Sequence, residues 1–435
     1  MDAVHQGDRP DGKRELMGTI AVFRSFGWPS RLLMINQFGI NLGFYMLMPY
    51  LAGYLAGPLG LAAWAVGLVL GVRNFSQQGM FILGGTLADR LGFKPLIVAG
   101  CLLRTAGFGL LVFAQSLPMV LIASAATGFA GALFNPAVRA YLAADAGERR
   151  VEAFALFNVF YQAGILAGPL VGLAFMALDF RATAAAAASV FALLTIAQLF
   201  ALPRHDPDPA NEKTSVWQDW RTVATNRFFL LFAVAMIGSY VLTFQVYLAL
   251  PLHAANLAPQ HASVLVAALF VVSGVLAVAA QLRITRGFSA RWGTSRSLAI
   301  GMTMVAVSFV PLIALPDNRF GAPAGIAALL LSTAVLAIGS AAVFPFEMDT
   351  VVGLSGGRLV GTHYGFYSTI VGIGILAGNV AIGALMQVAN QHNLDVLVWI
   401  TLTGIGLLCA AALRALARGG HLQESGRTPM AEATR

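Results

Sequence analysis

Charged side chains are scarce in this chain: 11% of its 435 residues are Asp, Glu, Lys or Arg, and 58% are hydrophobic. Soluble globular domains carry roughly 25% charged residues, so the composition argues against a soluble protein. Cysteine is scarce too. The two cysteines, Cys101 and Cys409, lie in apolar stretches, where a free thiol behaves as a small apolar side chain, so we expect no disulfide and no metal site.

The chain also lacks the patterns of membrane-embedded enzymes. Its seven histidines are scattered, and we find no His-Glu-x-x-His zinc pattern, no convincing pair of aspartates and no Ser/His pair. We therefore predict a protein that is not an enzyme and uses no cofactor. A passive channel or a non-transporting sensor stays open as an alternative at this point.

Long apolar runs recur from one end of the chain to the other. Each is about 20 residues long, which is enough to cross a bilayer as a helix. We predict an all-α polytopic membrane protein with twelve transmembrane helices. The predicted spans are residues 31–56, 62–88, 95–114, 118–142, 154–178, 182–202, 228–252, 263–285, 297–316, 324–350, 364–388 and 396–417.

The basic residues predict the orientation of these spans. If the N-terminus is cytoplasmic, the outward loops carry only Arg181 and Arg319, and Arg73, Arg104 and Arg139 lie inside spans. All other basic residues then face the cytoplasm. This bias follows the positive-inside rule and predicts that both termini lie on the cytoplasmic side of the inner or plasma membrane. It also explains the net charge of +8 without nucleic acid.

A polar, proline-containing segment near the midpoint divides the chain into two groups of six spans. The predicted domains are an N-terminal cytoplasmic segment (1–30), an N-terminal six-helix bundle (31–202), a cytoplasmic linker (203–227), a C-terminal six-helix bundle (228–417) and a cytoplasmic tail (418–435). An internal repeat supports this division, because the pentapeptide at 164–168 recurs at 374–378. Two related halves suit a transporter that rocks about a central site.

The loop after the second span carries the most specific motif. It resembles the Gly-x-Leu-x-Asp-Arg-x-Gly loop of the major facilitator superfamily, and the resemblance extends over all twelve spans. The matching residues are Gly85, Leu87, Asp89, Arg90 and Gly92. Phe93 stands where a first basic residue is usual, and Lys94 supplies the second.

This resemblance implies the major facilitator fold, with two pseudo-symmetric six-helix halves, and a loop that locks the cytoplasmic side. Asp89 at a membrane face can accept N–H groups from the N-terminus of a neighbouring helix. In the family a second acid at the inner end of the fourth span takes part, and Asp145 is the candidate. The alternative is that Asp89 and Arg90 only set topology.

The fifth span resembles the antiporter signature of drug-exporting members of the family. The residues that match are Gly164, Gly168, Pro169 and Gly172. Small residues four apart let helices pack closely, and a proline inside a helix permits a bend. Ordinary small-residue packing is the alternative.

Arginines inside the spans are candidates for proton coupling or substrate binding. The arginine that the family often carries in its fourth span is replaced by Ser124, so that assignment does not transfer. Arg73, Arg104 and Arg139 remain, and such residues normally face a polar cavity or a partner.

Several polar and aromatic side chains are predicted to line a central cavity. Gln77 follows Arg73 by four residues, on one helix face. The full predicted lining is Asn36, Gln37, Asn41, Gln77, Tyr161, Tyr240, Gln245 and Tyr367. Interhelical hydrogen bonding is the structural alternative for the amides.

Glu347, with Asp349 nearby in the tenth span, is the first candidate for the acid of the transport cycle. A carboxyl in a partly dry site can exchange protons near neutral pH or hold a cation. Alternatively, both acids lie at the interface and pair with Arg358.

The sequence thus predicts a secondary transporter that exports small apolar or cationic compounds in exchange for protons, driven by the proton gradient. The predicted partners are a small-molecule substrate, protons and the lipid bilayer, with the protein as a monomer. A dedicated exporter of one metabolite or siderophore, or an uptake symporter, is the alternative on the same fold.

Overall fold

The structure is a computed structural model that describes residues 21–203, 216–355 and 359–420. Within these ranges all regular secondary structure is helical. Some side chains inside the helices lie outside the description, among them those of Gly85, Asp89 and Arg90. The N-terminal segment 1–20 and the tail 421–435 lie outside it as well.

The N-terminal part of the chain forms seven helices in the described ranges, after a helical turn at 21–25. They are α1 (Trp28–Ala56), α2 (Ala63–Gln78), α3 (Phe81–Leu91), α4 (Phe93–Phe113), α5 (Leu117–Ala146), α6 (Arg150–Met176) and α7 (Phe180–Ala201). A 3₁₀ turn, Gly147–Arg149, joins α5 to α6. The predicted second span is thus two helices, α2 and α3, separated by Gly79 and Met80.

The C-terminal part forms ten helices in the described ranges. They are α8 (Val216–Ala224), α9 (Arg227–Ala235), α10 (Ile237–Thr243), α11 (Ala249–Leu257), α12 (Ala262–Val307), α13 (Val310–Ala314), α14 (Asp317–Phe320), α15 (Ala322–Leu354), α16 (Val360–Gln391) and α17 (Val396–Arg418). Two 3₁₀ turns, Phe244–Val246 and Pro259–His261, flank α11. The predicted linker is helical in part, because α8 falls inside it.

In the described chain, ten segments are long and apolar enough to cross a membrane. They correspond to the third to twelfth predicted spans. The first predicted span lies within the 29-residue helix α1, which is less apolar because it contains amides and the tyrosines Tyr45, Tyr50 and Tyr54. The second is divided. The all-helical membrane class is confirmed, and the number twelve stays a prediction.

Two glycines end helices at matching places in the two halves. Gly92, between α3 and α4, has φ 82° and ψ 166°, and Gly293 inside α12 has φ 68° and ψ 178°. Positive φ is accessible to glycine at little cost. Gly293 divides α12, so the predicted eighth and ninth spans meet at a sharp corner there rather than through a loop at 286–296.

The repeated pentapeptide packs in the same way in both halves. A Cβ on Gly164 or Gly168 of α6 would run into Asn41 or Tyr45 of α1, and a Cβ on Gly374 or Gly378 of α16 would run into Ile237 or Val241 of α10. The first pair of targets and the second pair are each four residues apart. The internal repeat is therefore also a repeat of helix packing.

The halves meet along α2 and α16. A Cβ on Gly67 would run into the carbonyl oxygen of Asn379, and one on Gly383 would run into that of Ala63. Thr369 Oγ1 donates a hydrogen bond of 2.9 Å to the Gly79 carbonyl. Small residues thus bring these two helices into close backbone contact across the two halves.

Candidate transport site

A polar cavity of about 190 Å³ lies beside the middle parts of α1, α4 and α6 and the C-terminal end of α2. Its lining is Ile40, Asn41, Phe44, Tyr45, Arg73, Asn74, Gln77, Gln78, Arg104, Asn135, Tyr161, Phe244 and Tyr247. The last two residues come from the interruption between α10 and α11, and the others come from the N-terminal half. Broken helices near the midplane are typical of transporter binding sites.

Arg73 is the most strongly held of the cavity cations. It is buried, with 7% exposure, and donates to Asn74 Oδ1 and to Gln77 Oε1, each at 2.6 Å. The Gln77 bond follows from the spacing of four residues on one helix face. Its guanidinium carbon lies 4.3 Å from the centre of the Phe44 ring. All these partners are neutral.

Arg104 of α4 contacts the Phe44 ring, which Arg73 also contacts. It is 4% exposed, and its guanidinium carbon lies 5.5 Å from the centre of Phe44 and 5.4 Å from that of Phe191. The Nε atoms of both Arg73 and Arg104 have no hydrogen-bond partner within the described chain. Cation–π contacts therefore replace ion pairs for these two guanidinium groups.

Aromatic and amide side chains close the cavity around the arginines. Asn41 Nδ2 donates to the Tyr161 carbonyl at 2.8 Å, which ties α1 to α6. Tyr247 Oη donates to Tyr45 Oη at 3.4 Å, which joins the two halves. Asn135 also lines the cavity, although the sequence did not predict it as a lining residue. The adjacent Pro136 is the one feature of its neighbourhood that marks the position.

Five of the eight predicted lining residues lie outside this cavity. Asn36 and Gln37 are buried but outside the lining, and both amide atoms of Asn36 lack a partner in the described chain. Gln245 Nε2 donates to the Val241 carbonyl of α10 at 2.7 Å and to Asn379 Oδ1 of α16 at 3.5 Å. Tyr240 and Tyr367 belong instead with Glu347 in the C-terminal half. The rotation of each helix about its axis decides these placements.

Glu347 forms a second, separate polar group. Its side chain is 2% exposed and accepts a hydrogen bond of 2.7 Å from Tyr240 Oη. The rings of Tyr240 and Tyr367 meet edge to face, with centres 6.1 Å apart. Among the described residues no basic side chain forms an ion pair with this carboxyl.

Two predicted charged residues are exposed. Asp349 lies on the surface of α15 and accepts a hydrogen bond of 3.0 Å from Thr294, next to the Gly293 corner. Arg139 is also exposed and does not line the cavity. Its neighbours Val138, Tyr141 and Leu142 are buried, so Arg139 lies on an exposed side of α5. A role of Asp349 and Arg139 in proton coupling or substrate binding stays a prediction.

The antiporter-like residues pack α6 against α1. Gly164, Gly168 and Gly172 all lie so close to α1 that a Cβ would overlap it. Pro169 lies inside α6, and its carbonyl accepts a hydrogen bond of 2.6 Å from Tyr50 Oη. Close helix packing is thus visible for this motif, and an antiport role for it stays a prediction.

Of the predicted latch residues, Asp145 has a clear partner. Its Oδ2 accepts from Ser30 N at 3.1 Å and from Ser30 Oγ at 2.5 Å, at the N-terminal end of α1. A carboxylate there is favoured by the helix dipole. Gly92 is buried and Lys94 is half-buried. The side chains of Gly85, Asp89 and Arg90 lie outside the description, so the latch itself stays a prediction.

Comparison with other proteins agrees with this architecture. The family model of the Major Facilitator Superfamily matches residues 33–318. An uncharacterized MFS-type transporter of Mycobacterium tuberculosis is 66% identical over 401 residues, covering 92% of this chain and 96% of the relative. The multidrug resistance protein MdtH of Salmonella paratyphi B is 28% identical over 398 residues, covering 91% and 96%.

Solved structures share the fold. The crystal structure of a mutant of the nucleoside transporter NupG superposes with a TM-score of 0.78 at 15% identity, covering 89% of this chain and 99% of the other. A POT family transporter in complex with 5-aminolevulinic acid gives 0.73 at 12% identity, covering 92% and 99%. On the family match and the two relatives, this chain is an integral membrane protein, is not an enzyme, and belongs to the Major Facilitator Superfamily of transporters.

Proposed function

We propose that this transporter is a proton-coupled exporter of small, mostly apolar compounds, with Glu347 as the residue that carries the proton. The proposal rests on the setting of Glu347. It lies in a helix apolar enough to cross the membrane, it is 2% exposed, and in the described chain its hydrogen-bond donor is a neutral tyrosine, Tyr240.

A charge at the centre of a membrane helix costs about 2.5 to 3.5 kcal/mol on translocon scales. With no cation beside it, Glu347 avoids this cost by holding a proton while the site is closed to water. Rocking of the halves that opens a water path to one side lets the proton leave or enter there. Alternating access then moves one proton per cycle through this group.

The relative MdtH and the fifth predicted span, α6, support export rather than uptake. MdtH is named for multidrug resistance, and α6 carries the glycine and proline pattern that resembles drug exporters. The cavity favours apolar compounds through its aromatic lining, and its two arginines disfavour the cations that the sequence also suggested. A dedicated metabolite exporter and an uptake symporter are the competing functions on this scaffold.

We infer from the distribution of basic residues that both termini face the cytoplasm. We also propose that the protein resides in the cytoplasmic membrane and that the monomer is the transporting unit. The loop that contains Asp89 and Arg90 acts as the cytoplasmic latch in this proposal. No cofactor is needed, because the proton gradient supplies the energy.

Proton flux into liposomes tests the proposal. Purified protein is reconstituted with a pH-sensitive dye inside, and neutral aromatic compounds, lipophilic cations and small metabolites are added in turn. We expect substrate-dependent proton movement in the wild type and none in Glu347→Gln. Asp349→Asn removes an exposed carboxyl two residues away and should keep the flux. Proton movement that persists in Glu347→Gln would remove this residue from coupling.

The range of active compounds separates the competing functions. Responses to several unrelated apolar compounds support a multidrug exporter. A response to a single metabolite would indicate a dedicated carrier, and proton movement in the same direction as the compound would indicate a symporter. The absence of proton movement with any compound would overturn proton coupling.

A further inference from the structure

The cavity holds two positive charges and no negative one. Arg73 and Arg104 both line it, and within the part of the chain that the structure describes no carboxylate does so. We infer that the exported compound carries an anionic group, bound by these two arginines, beside an aromatic or apolar body. This inference rests on the proposed transport function and assigns its substrate class.

Arg73 and Arg104 have no counter-ion among the residues that the structure describes. The hydrogen bonds of Arg73 go to the neutral amides of Asn74 and Gln77. Arg104 makes ring contacts with Phe44 and Phe191. Arginines that serve only the fold normally pair with an acid when they are buried.

Glu347, the one acid that is buried among the described residues, belongs to another group. It is absent from the cavity lining and accepts a hydrogen bond from Tyr240 in the C-terminal half. Since no acid of the described residues neutralises the arginines, the exported compound supplies the anion in this proposal. Guanidinium groups suit this task, because their donors match carboxylate, sulfonate and phosphonate oxygens.

The aromatic lining suits the rest of the compound. Tyr45, Tyr161, Phe244 and Tyr247 supply ring surfaces around the arginines. An apolar cavity of about 150 Å³ holds benzene, so the observed 190 Å³ accommodates one ring with a small charged group. The geometry therefore fits a small aromatic anion.

The proposed antiport gives the inference a signature in the charge moved per cycle. If one proton enters for each monoanion that leaves, two elementary charges move inward per cycle. A neutral compound moves one charge and a monovalent cation moves none. An inside-negative potential should therefore accelerate anion export most, provided the proposed antiport holds.

Binding is measured first, because it does not depend on proton coupling. The probes are benzenesulfonate, benzyl alcohol and benzyltrimethylammonium, which carry a permanent negative charge, no charge and a permanent positive charge. Titration calorimetry on protein in nanodiscs should show binding of benzenesulfonate and none of the cation. The same anion should raise the unfolding temperature, since a ligand that binds the folded state stabilises it.

Variants locate the site. Arg73→Gln and Arg104→Gln should each weaken benzenesulfonate binding about 10- to 100-fold, the usual effect of losing a charged hydrogen bond. Arg73→Lys and Arg104→Lys keep the positive charge and control for misfolding of the glutamine variants. We expect an intermediate loss of benzenesulfonate affinity in both. Arg181→Gln removes an exposed arginine of α7 in the same half and should change affinity less than about twofold.

The outcomes separate this inference from the proposed function. Cation binding with no anion binding, or equal binding by Arg73→Gln and wild type, would overturn the anion site even if proton-coupled export of another compound is found. Anion binding that depends on both arginines supports the site even if Glu347→Gln leaves proton flux intact. Failure of all three probes to bind would also overturn it.

Discussion

The contact between α2 and α16 makes a quantitative prediction about motion between the halves. A Cβ on Gly67 would overlap the carbonyl oxygen of Asn379, lie 2.8 Å from its carbonyl carbon, and lie 3.4 Å from Val380 Cα. All three are backbone atoms, so no side-chain rotation relieves the overlap. In Gly67→Ala, α2 and α16 must move apart at this level.

Overpacking of this kind costs about 1 to 3 kcal/mol, and backbone atoms place it in the upper part of that range. The helix preference of alanine over glycine is about 1 kcal/mol, but it stabilises α2 equally in packed and separated states and therefore cancels. The overpacking cost of about 2 to 3 kcal/mol falls only on states in which the two helices are packed. The population of such states should therefore decrease about 30- to 140-fold relative to states with the helices apart.

Pulsed electron resonance between spin labels at Pro58 and Gln391 measures this shift, because both residues are exposed, Pro58 in the turn between α1 and α2 and Gln391 at the C-terminal end of α16. Cys101 and Cys409 are first replaced by alanine. Gly67→Ala should move weight to longer distances, whereas Gly109→Ala, which has no atom within 4 Å of its Cβ, should not. An unchanged distribution for Gly67→Ala would refute the reasoning.

Two further predictions concern named hydrogen bonds. Tyr240→Phe removes the donor to Glu347 at 2.7 Å, so proton flux should slow several-fold without loss of compound binding; an unchanged rate in the liposome assay would contradict this. Ser30→Ala removes the hydroxyl bond to Asp145 and should lower the free energy of unfolding by about 1 kcal/mol. A thermal midpoint equal to that of the wild type would show that this bond contributes nothing.

Part of the site could be predicted from local sequence patterns. The four-residue spacing of Arg73 and Gln77 predicted a shared face, and the structure joins them through a hydrogen bond of 2.6 Å. The membrane helices could also be predicted from the sequence, because most of the apolar runs are long enough to cross a bilayer. The main differences lie at Gly79 and Gly293, where a two-residue break and a positive φ change how helices connect.

Contacts between helices that are distant in the sequence could not be predicted from local patterns. Tyr240 and Glu347 are 107 residues apart, and only the packing of the C-terminal half brings them together. Arg139 and Arg104 are both arginines within apolar runs of the sequence. In the structure, however, Arg139 is exposed and Arg104 is buried. Helix rotation and depth decide this difference, and neither is encoded in a local run of residues.

The central claim is that the proton and the compound use different groups in different halves. Counterflow in liposomes tests this most directly, because exchange of labelled for unlabelled compound needs the binding site and the rocking motion but no net proton transfer. Glu347→Gln should retain counterflow and lose accumulation driven by a pH gradient. Loss of both activities in a folded variant, or retention of both, would contradict the account.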